Sequence, residues 1–269
     1  MARKITYRHR IGTTGETAAQ EPKQKRNPNP EVQTFYNEGQ VILIDKPIHW
    51  TSFDVVRRLR GQLQIKKIGH AGTLDPLATG LLILCTGKNT KQINTYMGQE
   101  KEYTGHFVIG AVTPTYDLES QPEHPQNTDW VQPEHCRKAA EQFTGAIMQV
   151  PPIYSAIKKD GVAAYELARR GTDVELAARP VVIHEFEITA LEQNAVYFRV
   201  VCSTGTYIRS LAHDFGKALG CGAYLGSLRR TRIGEFRVTQ ALTPEEFIGQ
   251  LAAQFPNTTA KDSTDCHTN

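Results

Sequence analysis

Short apolar runs and amphipathic stretches alternate irregularly along the chain, and that pattern predicts its elements. Val41-Ile-Leu-Ile44 is a strand ending in the turn Asp45-Lys46-Pro47. Thr51-Ser52 caps an amphipathic helix from Phe53 to Leu63, with Asp54 in its first turn, where the helix dipole favours an anion. The run Leu81-Leu-Ile-Leu-Cys85 reads as a buried strand, followed by a short helix from Gly87 to about Met97. Residues 102–110 form a strand, 113–129 a polar loop, and 132–143 a helix with Pro133 in its first turn. Residues 151–161 are irregular and basic, and a short helix over 163–170 stops at Gly171. Strands over 181–191 and 195–203 make a hairpin around Glu192-Gln-Asn194. A helix from Tyr207 to Leu219 closes at Gly220, strands follow over 228–232 and 235–238, and a last helix spans 244–254. This order predicts an α/β chain of the α+β kind. Its sheet is mixed, mostly antiparallel and flanked by helices, unlike a regular doubly wound fold.

Residues 1–30 break the pattern. They lack apolar periodicity and end in Asn27-Pro-Asn-Pro30, so ordered structure is expected to begin near Gly39. The expected organisation is a basic arm over 1–35, one domain over 36–255 with an insertion at about 150–180, and a polar tail over 256–269. The arm carries Arg3, Lys4, Arg8, Arg10, Lys23, Lys25 and Arg26 against Glu16 and Glu21. A solvated tail and a phosphate-seeking arm both fit that composition.

Composition adds bounds. At 269 residues there is ample core for one large domain or two small ones. A net charge of +3 is too weak by itself to mark a nucleic-acid binder. Five cysteines with no C-x-x-C pair argue for reduced thiols in a cytoplasmic setting, against a disulfide framework or zinc ribbon. No apolar run approaches the roughly 20 residues of a membrane span, and the basic N-terminus lacks the apolar stretch of a secretory signal. A membrane is therefore not an expected partner.

The chemistry-bearing stretch is Gly69-His-Ala-Gly-Thr-Leu-Asp-Pro-Leu-Ala-Thr-Gly80. One carboxylate, Asp75, lies in a polar loop feeding a core strand, and Pro76 pushes its backbone toward an extended conformation. Familiar alternatives fail on spacing. Six residues separate Gly80 from Gly87 where a phosphate loop needs four, Asn89 stands where that loop has Ser or Thr, and no G-x-S-x-G elbow is present. His70, His106, His124, His135 and Cys136 lack regular ligand spacing, so no metal is expected. Lys66-Lys67, Lys158-Lys159, Arg169-Arg170 and Arg229-Arg230-Thr-Arg232 recur near element ends, with Tyr103, Tyr154, Tyr165, Tyr207 and Tyr224 among them. Cations interleaved with aromatic rings suit RNA, where phosphates meet charge and bases stack. For any single patch, an ordinary charged surface is the stronger reading.

Taken together, these motifs resemble the TruB-type tRNA pseudouridine-55 synthases. The loop at 69–80 is similar to that family's active-site motif. Leu43-Ile-Asp-Lys-Pro47 with Trp50-Thr-Ser-Phe-Asp54 looks like its opening unit, and Lys101-Glu-Tyr103 like its tyrosine motif. Thr115-Tyr-Asp117 follows at the family interval. Pro151-Pro-Ile-Tyr-Ser-Ala-Ile-Lys158 through Arg169 looks like its RNA-gripping, thumb-like insertion. Gly205-Thr-Tyr-Ile-Arg209 and Leu228-Arg229-Arg230 resemble its closing motifs, so the likeness runs over about residues 39–240.

The resemblance implies isomerisation of a uridine in the T-loop of tRNA, with no cofactor and no metal, by a cytoplasmic monomer. Asp75 would act on the ribose, Arg209 would pair with Asp75 and keep it ionised, and Asp117 would hold Arg209. Tyr103 would stack on the uracil, Leu228 would line the other side of the base, and Tyr207 would pack nearby. Lys46, His70, Asp117, Tyr207, Leu228, Lys158, Arg229 and Arg230 are the expected substrate-binding set, and Asp75, Tyr103 and Arg209 the catalytic one. Many relatives carry a C-terminal PUA-type domain. Only 31 residues follow Val238, so that domain is expected to be missing. A non-catalytic tRNA-binding protein on the same scaffold, and a phosphotransferase using Gly87-Lys88, are the competing readings.

Overall fold

The computed structural model describes residues 29–155, 157–159, 161–164 and 176–256. The predicted arm up to residue 28, most of the insertion with its 163–170 helix, Tyr165, Arg169 and Arg170, and the tail from 257 lie outside the described residues.

The apolar run at 81–85 belongs to β3 (Ala78–Thr86), which is buried on both faces. Leu82 and Leu84 enter one core cluster, while Leu81, Ile83 and Cys85 enter another, which explains a run without polar alternation. β1 (Val41–Lys46) pairs antiparallel along one edge of β3. The other edge is shared. β2 (Ile68–Ala71) pairs with residues 83–86, and β10 (Ala223–Ile233) pairs in parallel with residues 78–80. The Asp75 loop joins β2 to β3 at that junction, so it opens beside β10.

Beyond β10 the sheet continues through β4 (Lys101–Ile109), β9 (Ala195–Cys202), β8 (Arg179–Glu192) and β5 (Gly145–Gln149), every one of these pairings antiparallel. This is the mixed, mostly antiparallel sheet that the alternation implied. In the insertion, β6 (Lys158–Lys159) pairs with β7 (Val162–Ala163), and β11 (Phe236–Arg237) pairs with β10.

Helices cover the two halves separately. α1 (Pro30–Glu38), α2 (Ser52–Leu63) and α6 (Pro244–Gln254) bury Val32, Tyr36, Val55, Leu59, Phe247 and Leu251 against β1 and β3. A 3-10 turn over Gly87–Gln92 leads into α3 (Ile93–Gly98). α4 (Pro133–Glu141) and α5 (Ile208–Leu219) pack on β4, β8, β9 and β10 around Phe107, Phe198 and Phe215. The cap signals are realised. Thr51 and Asp54 form a capping box on α2, and Gly220 ends α5 in the left-handed conformation at φ 87°.

Three expectations are corrected. Order begins before Gly39, and residues 30–35 are not part of a loose arm. The Asn29 side chain caps α1 by accepting from Glu31 and Val32, and Pro30 sits at the first helical position, so the apparent linker signal was a helix start. Gly69 and His70 lie in β2 rather than in a loop, stabilised by the non-local partners Cys85 and Leu84. β5 was not anticipated either. Among the described residues it pairs only with β8, and it exposes Met148, so it lacks a full apolar alternation.

Candidate active site

Asp75 is immobilised through its neighbours. The buried Ser52 hydroxyl accepts from Leu74 N–H at 2.9 Å and donates to Leu74 C=O at 3.3 Å. His49 N–H donates to Pro76 C=O at 2.8 Å, and Ala78 N–H closes a turn onto Asp75 C=O at 3.1 Å. Lys46, fully buried at the end of β1, directs its ammonium at Pro47 C=O (3.0 Å), Trp50 C=O (2.6 Å) and Pro76 C=O (3.4 Å). Arg230, 1% exposed, donates from Nε to Leu81 C=O at 2.8 Å and from Nη2 to Gly72 C=O at 3.0 Å. Gly80 takes φ 102° and packs so tightly on β10 that a Cβ would lie 2.3 Å from Arg230 O, which requires glycine there.

Arg209, in the first turn of α5, meets the carboxylate. Its Nε lies 3.0 Å from Asp75 Oδ2, and Nη2 donates to Asp75 Oδ1 at 3.4 Å. The same guanidinium donates to Tyr154 C=O at 3.0 Å and Thr115 C=O at 3.4 Å, and Nη1 lies 3.6 Å from Asp117 Oδ2. Asp117 is itself fixed, accepting from Thr115 Oγ1 at 2.6 Å and Glu119 N–H at 3.0 Å. The start of α5 is pinned by buried Gln149. Its amide accepts from Tyr207 N–H at 2.8 Å and donates to Tyr207 C=O at 3.1 Å. Ser210 donates to Val150 C=O at 2.7 Å.

These groups border a cavity of about 560 Å³, within the roughly 300–1,000 Å³ range of small-molecule pockets. Asp75, Tyr103, Tyr207, Arg209, Leu228 and Arg230 all line it. Burial pushes the Asp75 carboxyl above its ordinary value, Arg209 pulls it down, and Asp117 pushes it up again. Arg209 therefore favours the ionised carboxylate against the opposing effects of burial and Asp117. Burial also raises the Tyr103 phenol, against a hydrogen bond with Arg230. Lys46 is lowered to about 8 by burial, with Asp75 opposing.

Several predicted substrate contacts are placed differently. Lys46 is wholly buried, with its charge on three carbonyls, and Asp117, 4% exposed, faces Arg209, the position expected of a residue that holds Arg209, and does not line the cavity. Arg230 forms part of the cavity wall, but its donors serve Leu81, Gly72 and Tyr103. Strand alternation puts Arg229 on the opposite face, paired with Asp45 at 2.6 Å. His70 is outside the cavity lining. Its Nδ1 is buried without a hydrogen-bond partner among the described residues, and burial together with Arg230 lowers its pKa. Lys158 sits in β6, and its side chain lies outside the described residues. Ser52, His49 and Gln149 were missed. Ser52 carried only a helix-cap signal, and Gln149 gave none because its partner is a backbone 58 residues away.

Among the described residues, no group of three or more His, Cys, Asp or Glu is placed to hold a metal ion, and no helix is long and apolar enough to cross a membrane.

The fold is shared with solved protein and RNA–protein complexes. A Cbf5-Nop10-Gar1 complex matches with a TM-score of 0.65 at 29% identity, covering 84% of this chain and 61% of that one. An H/ACA RNP bound to a substrate RNA containing 2′-deoxyuridine matches with a TM-score of 0.62 at 27% identity, covering 87% of this chain and 61% of that one. The chain thus spans about 61% of the length of these structural neighbours. The architecture is that of a pseudouridine synthase.

Sequence comparison narrows the class. The profile of the TruB family pseudouridylate synthase N-terminal domain matches residues 60–208, and that of the tRNA pseudouridylate synthase B C-terminal domain matches 209–261. Of the latter, α5, β10 and β11 are built into or onto the same sheet. The tRNA pseudouridine synthase B of Flavobacterium johnsoniae is 55% identical over 214 residues, covering 77% of this chain and 93% of that protein. Those of Phocaeicola vulgatus and Chlorobaculum tepidum are 47% and 41% identical, covering 79% and 82% of this chain and 93% and 94% of theirs. The chain belongs to the TruB family. Its activity is that of a tRNA pseudouridine synthase, an isomerase acting on RNA.

Proposed function

We propose that this enzyme isomerises a uridine of the tRNA T-arm, and that Asp75 is the residue that acts on the ribose. The observation that carries this reading is the ion pair between Arg209 and Asp75 at 3.0 Å on the wall of the cavity.

The target base is unstacked and swung into the cavity, as base-modifying enzymes require. Tyr103 offers a ring face on one side and Leu228 an apolar wall on the other. Asp75, ionised and oriented by Arg209, acts on the ribose at C1′ or at the C2′ proton, and either route needs the carboxylate form. The N1–C1′ bond breaks, the uracil turns, and a C5–C1′ bond forms. N1 gains a proton and C5 loses one, so no atom is added or lost overall. Burial keeps the Tyr103 phenol protonated, so its hydroxyl relays the proton that leaves C5 and is not a standing phenolate base. His70, half-buried beside the Asp75 loop, contacts the RNA and helps hold the flipped nucleotide. The four described cysteines are free thiols, which supports a cytoplasmic setting.

The test is pseudouridine formation in a T-arm stem-loop, mapped chemically, for wild type beside Asp75→Asn. The variant is expected to lose turnover while keeping RNA affinity. Near-normal turnover by Asp75→Asn would remove the central assignment, and no product from the wild type on this RNA would remove the substrate assignment.

A further inference from the structure

We propose that Tyr116 and His213 form a stacked pair that holds Asp117 against Arg209, making both of them positioning residues for Asp75. This rests on the catalytic reading of Asp75 given above.

Tyr116 stands between two residues that serve Arg209. Thr115 offers its carbonyl to Arg209 Nη1 at 3.4 Å, and Asp117 its carboxylate at 3.6 Å. Both can face the guanidinium because the chain reverses at Tyr116, which takes φ 62°. That left-handed conformation is unfavourable for a bulky side chain and persists only where surroundings enforce it. The loop backbone is held from the sheet, since Leu225 N–H donates to Tyr116 C=O at 2.9 Å and Tyr116 N–H closes onto Thr113 C=O at 3.1 Å. Its ring is held from the helix. Tyr116 lies on His213 with centroids 4.1 Å apart and planes 17° from parallel.

His213 is four residues after Arg209 on α5, so the two project from the same face of the helix. The Nδ1 of His213 is buried and makes no hydrogen bond among the described residues, so its flat ring, more than that nitrogen, meets this site. One helix edge therefore presents a guanidinium to the Asp117 carboxylate and, one turn later, a ring to the residue before it. Registering the loop along α5 fixes the angle at which Asp117 meets Arg209, and through Arg209 the angle at which the Asp75 pair is made. Neither Tyr116 nor His213 lines the cavity, so a direct contact with the flipped base is not their role.

The experiment is steady-state and single-turnover pseudouridine formation on an unmodified tRNA transcript, for His213→Ala, His213→Phe, Tyr116→Gly and the double variant His213→Ala/Tyr116→Gly. His213→Ala should lower kcat about ten-fold with KM for the RNA within about two-fold, as expected for a misplaced catalytic group. His213→Phe, which keeps a ring face, should recover most of the loss. Tyr116→Gly accepts the backbone angle without strain but lacks the ring, and should resemble His213→Ala. The double variant should be no worse than the poorer single, since both remove one contact. Wild-type kcat in folded His213→Ala, a loss confined to KM, failure of folded His213→Phe to recover, or additive losses would each overturn the proposal. If His213→Ala does not fold, Tyr116→Gly and His213→Phe decide it alone. An inactive wild type would instead overturn the catalytic reading.

Discussion

Ser52→Ala removes one oxygen and isolates what the loop lock contributes. Ser52 is 2% exposed and Leu74 is 4% exposed, and the Ser52 hydroxyl serves both polar backbone atoms of Leu74. Alanine leaves the Leu74 N–H buried without this partner, and an unsatisfied buried donor costs about 1–3 kcal/mol. The carbonyl contact at 3.3 Å is longer and adds less, so the expected total is about 2–3 kcal/mol. Urea unfolding should show a lower midpoint with an unchanged slope. Because Leu74 is bonded directly to Asp75, the freed loop should also lower the single-turnover rate by about 10- to 100-fold. Thr243→Ala supplies the control. It removes the cap of α6, where Thr243 accepts from Glu246 N–H at 3.2 Å, and should cost about 1 kcal/mol without touching the rate. If Ser52→Ala keeps the wild-type midpoint, or loses stability while its rate stays within two-fold of wild type, the lock does not work as described.

The pH profile should be bell-shaped. The acid limb should lie above the ordinary carboxylate range, since Asp75 must be ionised and burial raises its pKa; a limb below that range would contradict the burial argument. The alkaline limb should begin near pH 8, where Lys46 loses the charge that holds Pro76 C=O. The sign for stability is opposite. Lys46 and Lys101 have folded pKa values of about 8 against 10.5, so the unfolded chain binds more protons in between and these two groups stabilise the fold as pH rises through that window. A rate that falls in step with unfolding would refute the Lys46 assignment. Gly80→Ala should cost at least about 2 kcal/mol, from φ 102° and the clash with the Arg230 backbone, and a wild-type midpoint would sink this. Gln149→Met keeps the volume but frees Tyr207 N–H and C=O, so kcat should fall about ten-fold or more; unchanged kcat would show that the start of α5 needs no such pin.

Much of this was legible in the chain. Asp75 stood out because glycines and proline mark a shaped loop and an apolar run marks the strand behind it. The capping box on α2 and the glycine stop of α5 are local devices, and local devices can be read from sequence. What failed was non-local. A lysine is marked by its charge, yet the three carbonyls that enclose Lys46 come from residues 47, 50 and 76. Arg229 and Arg230 look alike as a basic pair, but alternation sends one to Asp45 and buries the other behind the cavity. β2 could not be seen because its stability comes from pairing with β3, which outweighs the low strand preference of Gly69.

Those misplacements share a physical cause that bears on how the site works. Lys101, Arg209 and Arg230 line the cavity and Lys46 lies behind its loop, and each of the four holds backbone carbonyls. Lys46 and Arg230 hold carbonyls of the Asp75 loop and the strand after it, Lys101 holds Met97 C=O and Gln99 C=O, and Arg209 is divided between two carboxylates and two carbonyls. A cation already bound to buried carbonyls cannot turn to a phosphate without leaving those carbonyls unsatisfied. Their net effect is to fix the loop and to place positive charge near a carboxylate whose pKa burial raises. Among the described residues, Arg58, Lys66 and Lys67 face water instead, the setting in which a cation remains available to a phosphate. The two jobs need opposite environments, one dry and rigid and the other solvated and adaptable, so counting basic residues near the motif could not separate them.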